Sequence, residues 1–82
     1  MTEQINYSLD ITAELCPMTF VRAKLLVEKM ASGEVAEIRL KGMEPLTNVP
    51  RSLAELGHEI VSIQAEDGAL AHGPHRLVVR KK

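Results

Sequence analysis

Ile5, Tyr7, Leu9 and Ile11 are apolar, and Asn6, Ser8 and Asp10 between them are polar. That period of two predicts a half-buried strand. A different period follows. Phe20, Ala23, Leu26, Val27 and Met30 fall on one continuous helical face, the core stripe of an amphipathic helix that begins near Pro17. Ser32-Gly33 ends it, with the glycine suited to a C-terminal cap. Val35 to Leu40 alternates again, with Ala36, Ile38 and Leu40 on one side and Glu37 and Arg39 on the wet side. Lys41 to Pro45 reads as a turn. Thr47 or Asn48 then caps a second helix, with Pro50 in its first turn, Val49, Leu53 and Leu56 on its buried side, and Gly57 closing it. Ile60 to Ala65 alternates once more, with Val61, Ile63 and Ala65 expected to face in. Asp67-Gly68 is a turn signal, and Leu77-Val78-Val79 is a last strand ending in Arg80-Lys81-Lys82.

The predicted order is β-α-β-α-β-β. Right-handed crossovers place both helices on one face of the sheet. The expected fold is therefore α+β, a two-layer sandwich with a four-stranded mixed sheet. The chain has no repeats, low-complexity tract or linker, so a single domain over residues 1–82 is expected.

Composition narrows the function. The 82 residues are 45% apolar and 26% charged, an ordinary balance for a soluble globular chain. The net charge of -1 gives no basic field for nucleic acid, and the two aromatics, Tyr7 and Phe20, cannot make a base-stacking platform. No apolar run approaches the roughly 20 residues of a membrane helix. Met1 to Asp10 has neither a basic start nor an apolar core, so no signal peptide is expected. The single cysteine cannot form an internal disulfide, and a free thiol stays reduced in the cytosol.

That cysteine, Cys16, is followed directly by Pro17 and then by the first amphipathic run. Proline is favoured at the first helical position because its missing N–H has no partner there anyway. Cys16 is thus expected at or beside the N-cap of the first helix. Unpaired N–H groups and the positive end of the helix dipole then favour thiolate, the nucleophilic form. The dipole alone can lower a thiol pKa from its reference of about 8.5 by up to about 1.5 units. N–H contacts from Met18 or Thr19 would add to that, and burial against Leu15 or Phe20 would subtract. The competing reading is structural: a lone cysteine is usually a small buried hydrophobe. Met18, Val21 and Leu25 lie off the core stripe. They either pack at an edge or form an exposed apolar stripe running from Cys16, which a partner could cover.

The arrangement Leu9-Asp10-Ile11…Leu15-Cys16-Pro17…Val21-Arg22 closely resembles the start of the TusA/SirA-like family of small sulfur-carrier proteins. Glu44-Pro45 followed by Val49-Pro50, the run Gly57-His58-Glu59 and the basic last strand extend the likeness over nearly the whole chain. The resemblance implies the same β-α-β-α-β-β sandwich. It also implies a persulfide on the cysteine of a Cys-Pro-x-Pro motif. The sulfur would be received from a cysteine desulfurase or rhodanese-type donor and passed to a protein acceptor. Pathways of tRNA thiolation, molybdenum cofactor synthesis and sulfur oxidation are the family's destinations. Cys16 and Pro17 match the motif, Met18 is its variable position, and Thr19 stands where the second proline is usual. Glu44 stands where an aspartate is usual. On this reading Cys16 carries the sulfur, and Pro17, Met18, Thr19 and Arg22 form the supporting helix start. Met18, Val21 and Leu25 are the partner-binding candidates. No cofactor, metal, membrane or direct nucleic-acid contact is expected, and the protein is read as a cytoplasmic monomer.

A persulfide suits such a corner physically. Its terminal sulfur is anionic near neutral pH, and a helix N-terminus stabilises anions. The absence of a second cysteine fits external partners rather than an internal dithiol cycle. The alternative class is a non-catalytic regulatory or protein-interaction module on the same fold, using the Met18, Val21 and Leu25 stripe. His58, His72 and His75 read as loop residues. A metal site of His72 and His75 with Cys16 has no paired-cysteine spacing behind it. Arg22, Lys24, Arg39, Lys41 and the basic tail read as solvated charges, some of which could attract an acidic partner.

Overall fold

The computed structural model describes residues 5–14, 18–66, 68 and 71–82. Its elements are β1 (Tyr7–Asp10), α1 (Met18–Lys29), β2 (Val35–Leu40), α2 (Met43–Glu55), β3 (Glu59–Ala65) and β4 (His75–Arg80). The four strands form one sheet in the order β1-β2-β4-β3. β1 runs parallel to β2, and β4 is antiparallel to both of its neighbours. β4 therefore enters between β2 and β3, and the sheet is mixed, as the periodicities predict.

Register explains why one face is dry. Directly paired residues share a face. Leu9, Ile38, Leu77 and Ile63 make one row across all four strands, and Tyr7, Ala36, Val79 and Ile60 make the next. Ala23, Val27 and Met30 of the first helical run and Val49 and Leu53 of α2 pack on these rows with Leu40 and Ile11. Phe20, Leu26 and Leu46 border that core. The core stripe read from the first helix is thus the buried one. Thr19 is fully buried beside it, which the apolar pattern alone does not indicate.

Three expectations are corrected. The second helix starts at Met43, four residues before Thr47, with Gly42 as its N-cap at φ 102°. Pro45 then falls within the first turn, where a missing N–H costs little, while Pro50 falls inside the helix. The proline that looked like a start marker is therefore an interior one, and packing of Val49 and Leu53 must hold this helix. Leu56 is not on the buried side; it is the C-cap and is exposed. In β3 the expected inward set keeps Ile63 and Ala65 on the inner face but fails at Val61, because the register shifts between Ile60 and Ser62. That bulge at Val61 changes the phase, so Ile60 packs against the core. Ile63 and Ala65 share a face with Leu77 and His75 but are exposed, because β3 is the sheet edge.

The open face carries charge in a connected array. Arg39 and Arg76 are direct cross-strand neighbours of like sign. Glu66 accepts from both: Arg39 Nε at 2.7 Å and Nη2 at 2.9 Å, and Arg76 Nε at 3.3 Å. Arg39 Nη1 also donates to Asp10 Oδ2 at 3.1 Å. The bonds from Arg39 hold the Glu66 carboxyl below its ordinary range. Bonds from Thr12, and then from Arg39, do the same for Asp10. Both folded-state values lie below the unfolded ones. The array therefore stabilises fully at neutral pH and loses its contribution as the pH falls through and below the usual glutamate value of about 4.3. Glu66→Gln should lower the urea midpoint at pH 7 with the slope unchanged, since Arg39 and Arg76 then face each other without the carboxylate they share, and only Asp10 remains on Arg39. It should also flatten the loss of stability between neutral and acid pH, and urea titrations at both ends of that range check it.

Candidate functional site

β1 and β2 are parallel, so both end at the same edge of the sandwich. The turn after β1 and the start of α2 face each other there. In open α/β sheets, ligand sites form outside the carboxyl ends of parallel strands. An open cleft of about 850 Å³ lies at this edge. Thr12, Ala13 and Glu14 make one wall, and Lys41, Gly42, Met43, Glu44 and Pro45 make the other, with His72 from the loop before β4.

Each wall is braced. Asp10 Oδ1 accepts from the Thr12 N–H at 2.9 Å and from Thr12 Oγ1 at 2.7 Å, a turn built by an aspartate on its own backbone. The Ile11 N–H donates to the Arg39 carbonyl at 2.9 Å and the Glu14 N–H to the Ile11 carbonyl at 3.1 Å. Opposite, the Gly42 N–H donates to the His72 carbonyl at 2.8 Å. Gly42 must be glycine-like: its positive φ is strained for any side chain, and a Cβ would meet Pro45 Cδ at 3.3 Å.

Cys16 and Pro17, with Leu15, lie outside the described residues, so the expected placement of the cysteine at the helix N-cap does too. What surrounds them in sequence is described. Glu14 lines the cleft two residues before Cys16, and α1 begins with Met18 two residues after it. The first turn of α1 holds no acidic residue, so nothing on the helix itself cancels the positive end of its dipole.

The other candidates separate clearly. Met18, Val21 and Leu25 are 46%, 37% and 58% exposed, so they form a surface stripe on α1 rather than edge packing. Leu25 also borders a shallow pocket with Leu9, Arg22, Leu26 and Lys29. Arg22 is an exposed α1 residue whose Nη1 donates to Glu14 Oε1. Lys24 pairs with Glu28 at 3.5 Å, one helical turn along. His58 accepts the Lys82 N–H on Nδ1 at 3.1 Å, and burial, then Lys81 and Lys82, push its pKa down. His75 Nδ1 lies 2.8 Å from the Gly73 carbonyl, while His72 lines the cleft. Among the described residues no cluster of three metal-ligating side chains occurs. The cleft residues Thr12, Ala13 and Met43 were not candidates in the sequence, and Lys41 was read only as a solvated charge that could attract an acidic partner.

The fold is a two-layer sandwich, and in sequence the one cysteine of the chain falls between cleft-lining Glu14 and Met18, the first residue of α1. The chain matches the family Sulfurtransferase TusA over residues 7–81, and it belongs to that family. It is 39% identical over 61 residues to a protein of Archaeoglobus fulgidus named "putative sulfur carrier protein", covering 74% of this chain and 69% of that one. A Thermotoga maritima protein of the same name is 30% identical over 61 residues, with 74% and 77% covered. The crystal structure of a SirA-like protein from Desulfitobacterium hafniense superposes with a TM-score of 0.74, covering 90% of this chain and 95% of that one. Its sequence identity is only 17%, so that likeness speaks to the fold. No described helix is long and apolar enough to cross a membrane.

Proposed function

We propose that this chain is a sulfur carrier that holds a persulfide on Cys16 and relays the outer sulfur between a protein donor and a protein acceptor. The observation that carries the reading is membership of a sulfurtransferase family over residues 7–81, with the chain's one cysteine two residues before α1 and two after a cleft-lining glutamate. In the receiving step the Cys16 thiolate attacks the outer sulfur of a donor persulfide R–S–SH. The donor S–S bond breaks, R–S⁻ leaves and takes up a proton, and Cys16–S–S⁻ remains. In the giving step an acceptor thiolate attacks that outer sulfur and Cys16 leaves as thiolate. Neither step needs a cofactor or a net change of oxidation state. The positive end of α1 stabilises both anions of Cys16.

The donor is of the cysteine desulfurase or rhodanese type, and the site of action is the cytoplasm. The chain acts as a monomer and as one domain over residues 1–82. The partner sits on Met18, Val21 and Leu25, the exposed apolar stripe beside the cysteine. Incubation of the purified protein with a small persulfide donor should add about 32 Da, one sulfur atom, reversibly by dithiothreitol. An unchanged intact mass overturns the reading.

The exposed stripe also favours the second class, a binding module with no sulfur chemistry. Val21→Glu separates the two. On the carrier reading it leaves loading by a small persulfide unchanged and slows protein-to-protein transfer by roughly tenfold or more, the cost of a charge in an apolar contact. On the module reading it abolishes partner binding, while Cys16→Ser has no effect.

A further inference from the structure

Lys81 and Lys82 follow β4 and are tied to three separate parts of the chain. The first is the turn after α1. There the Gly33 N–H donates to the Lys81 carbonyl at 2.9 Å, the Lys81 N–H to the Glu34 carbonyl at 2.8 Å, and Ser32 Oγ to the Lys82 backbone oxygen at 3.0 Å. The second is the end of α1, where the last carbonyls of a helix lack intrahelical partners. Lys81 Nζ donates to the Val27 carbonyl at 2.9 Å and to that of Glu28 at 3.4 Å, a lysine cap on the helix. The third is the turn between α2 and β3. The Lys82 N–H donates to His58 Nδ1 at 3.1 Å, and the Lys82 side chain lies over Gly57, where an added Cβ would meet its Cδ at 2.8 Å.

The third tie differs from the others in its chemistry. A backbone N–H can only donate, so His58 Nδ1 must present a bare lone pair, and the ring is the neutral Nε2–H tautomer. A proton on Nδ1 removes the acceptor and sets two N–H groups against each other. It also creates a cation among cations. Lys81 and Lys82 act on the imidazole from the end of β4, and Glu28, which Lys24 shares, opposes them from α1. Glu59, the next residue in β3, is engaged by Arg80 at 2.7 Å, and Glu34 Oε1 by the Ala31 N–H at 2.8 Å. The ring is only partly buried, so solvent protons reach it.

We propose that His58 and Lys82 form a proton-released latch: when the imidazole takes up a proton, the Lys82 N–H loses its acceptor and Lys82 detaches from the turn between α2 and β3. The inference is independent of sulfur chemistry. The backbone bonds of Lys81 to Gly33 and Glu34 contain no titrating group, so the release is local to Lys82 and its contact with Gly57. Burial, then Lys81 and Lys82, hold the folded-state pKa of His58 below its unfolded value of about 6.5. The latch therefore contributes fully above about pH 6.5 and is lost as the pH falls through the folded value. Asp10 and Glu66 are both held below the ordinary carboxylate range and change only at lower pH, so the two windows are separate.

The test follows amide exchange in the full chain by NMR, with the His58 ring protons reporting its titration. Corrected for intrinsic exchange, protection of the Lys82 amide should fall about tenfold between about pH 7.5 and about pH 5, with the midpoint of the His58 ring. The Gly33 and Lys81 amides should keep their protection over the same range. His58→Asn puts an amide oxygen near the place of Nδ1 and does not titrate, so the Lys82 amide should then show no pH-dependent loss. His72 and His75 remain in that variant, so their titration cannot imitate the result. Lys81→Met should raise the ring midpoint by about 0.3–0.5 pH units, and the release should move with it. Lys82 protection that is unchanged across the ring titration overturns the latch, as does a loss that persists in His58→Asn or a release that does not follow the ring in Lys81→Met. Loss of protection at Gly33 and Lys81 together with Lys82 overturns it too, because the opening is then not local. That comparison needs only the wild type.

Discussion

Cys16→Ala should abolish sulfur loading completely, and the protein should remain folded. The chain has one cysteine, so no second thiol can take over the persulfide or accept it by exchange. Loss should therefore be total rather than partial: no added mass of about 32 Da under conditions that fully load the wild type. Alkylation of the wild type before incubation with the donor should block loading to the same extent. On the carrier reading the sulfur is reachable by partners, so removing it should cost far less stability than a core truncation. The thermal midpoint should stay within about 4–8 °C of wild type, the shift expected for roughly 1 kcal/mol in a domain of this size. Loading that survives the substitution would place the sulfur elsewhere and remove the basis of the proposal. A large loss of stability without loading chemistry in the wild type would instead assign Cys16 a packing role.

Leu53→Ala should be the most damaging single substitution outside the site. Leu53 is fully buried, and with Val49 it anchors α2 on the sheet. That helix has little local support. Pro50 lies inside it and supplies no N–H for the carbonyl one turn back, and its N-cap Gly42 contributes no side-chain hydrogen bond. Truncating a fully buried leucine costs about 2–5 kcal/mol. A chain of 82 residues has on the order of 4–12 kcal/mol in all. The thermal midpoint should fall by roughly 10–30 °C. Because Gly42 to Pro45 make one wall of the cleft, the variant should also expose the Gly42–His72 contact to exchange before global unfolding. A midpoint loss of under about 5 °C would mean that α2 does not depend on this side chain.

Much of the architecture was legible because burial imposes a period. The inward positions of β2 and the core stripe of α1 are both where alternation and the helical wheel put them. The errors share one cause: local signals near proline and at sheet edges are ambiguous. Pro50 looks like a first-turn proline, but Pro45 is also compatible with a first turn. The earlier start wins because it extends the helix over Leu46, which borders the core. In β3 the alternation from Ile60 holds only until one residue is inserted at Val61, and no side-chain pattern distinguishes a bulged residue from a regular one. Leu56 is apolar and correctly spaced, yet the helix ends before it and it is 43% exposed. Cys16 was a candidate on its proline neighbour and lies outside the described residues, while the family read from the resemblance is the one that matches over residues 7–81.

By itself the sequence determined the element types, the aliphatic core, the uniqueness of the thiol and its place just before a helix, because periodicity, composition and covalent order are local properties. Tertiary structure alone decided that β4 inserts between β2 and β3, that the turns after β1 and β2 form a cleft, and that Arg22 reaches Glu14. These depend on how distant segments meet. Strand order and side-chain reach are settled by packing the two helices on one sheet face, which no window of neighbouring residues contains.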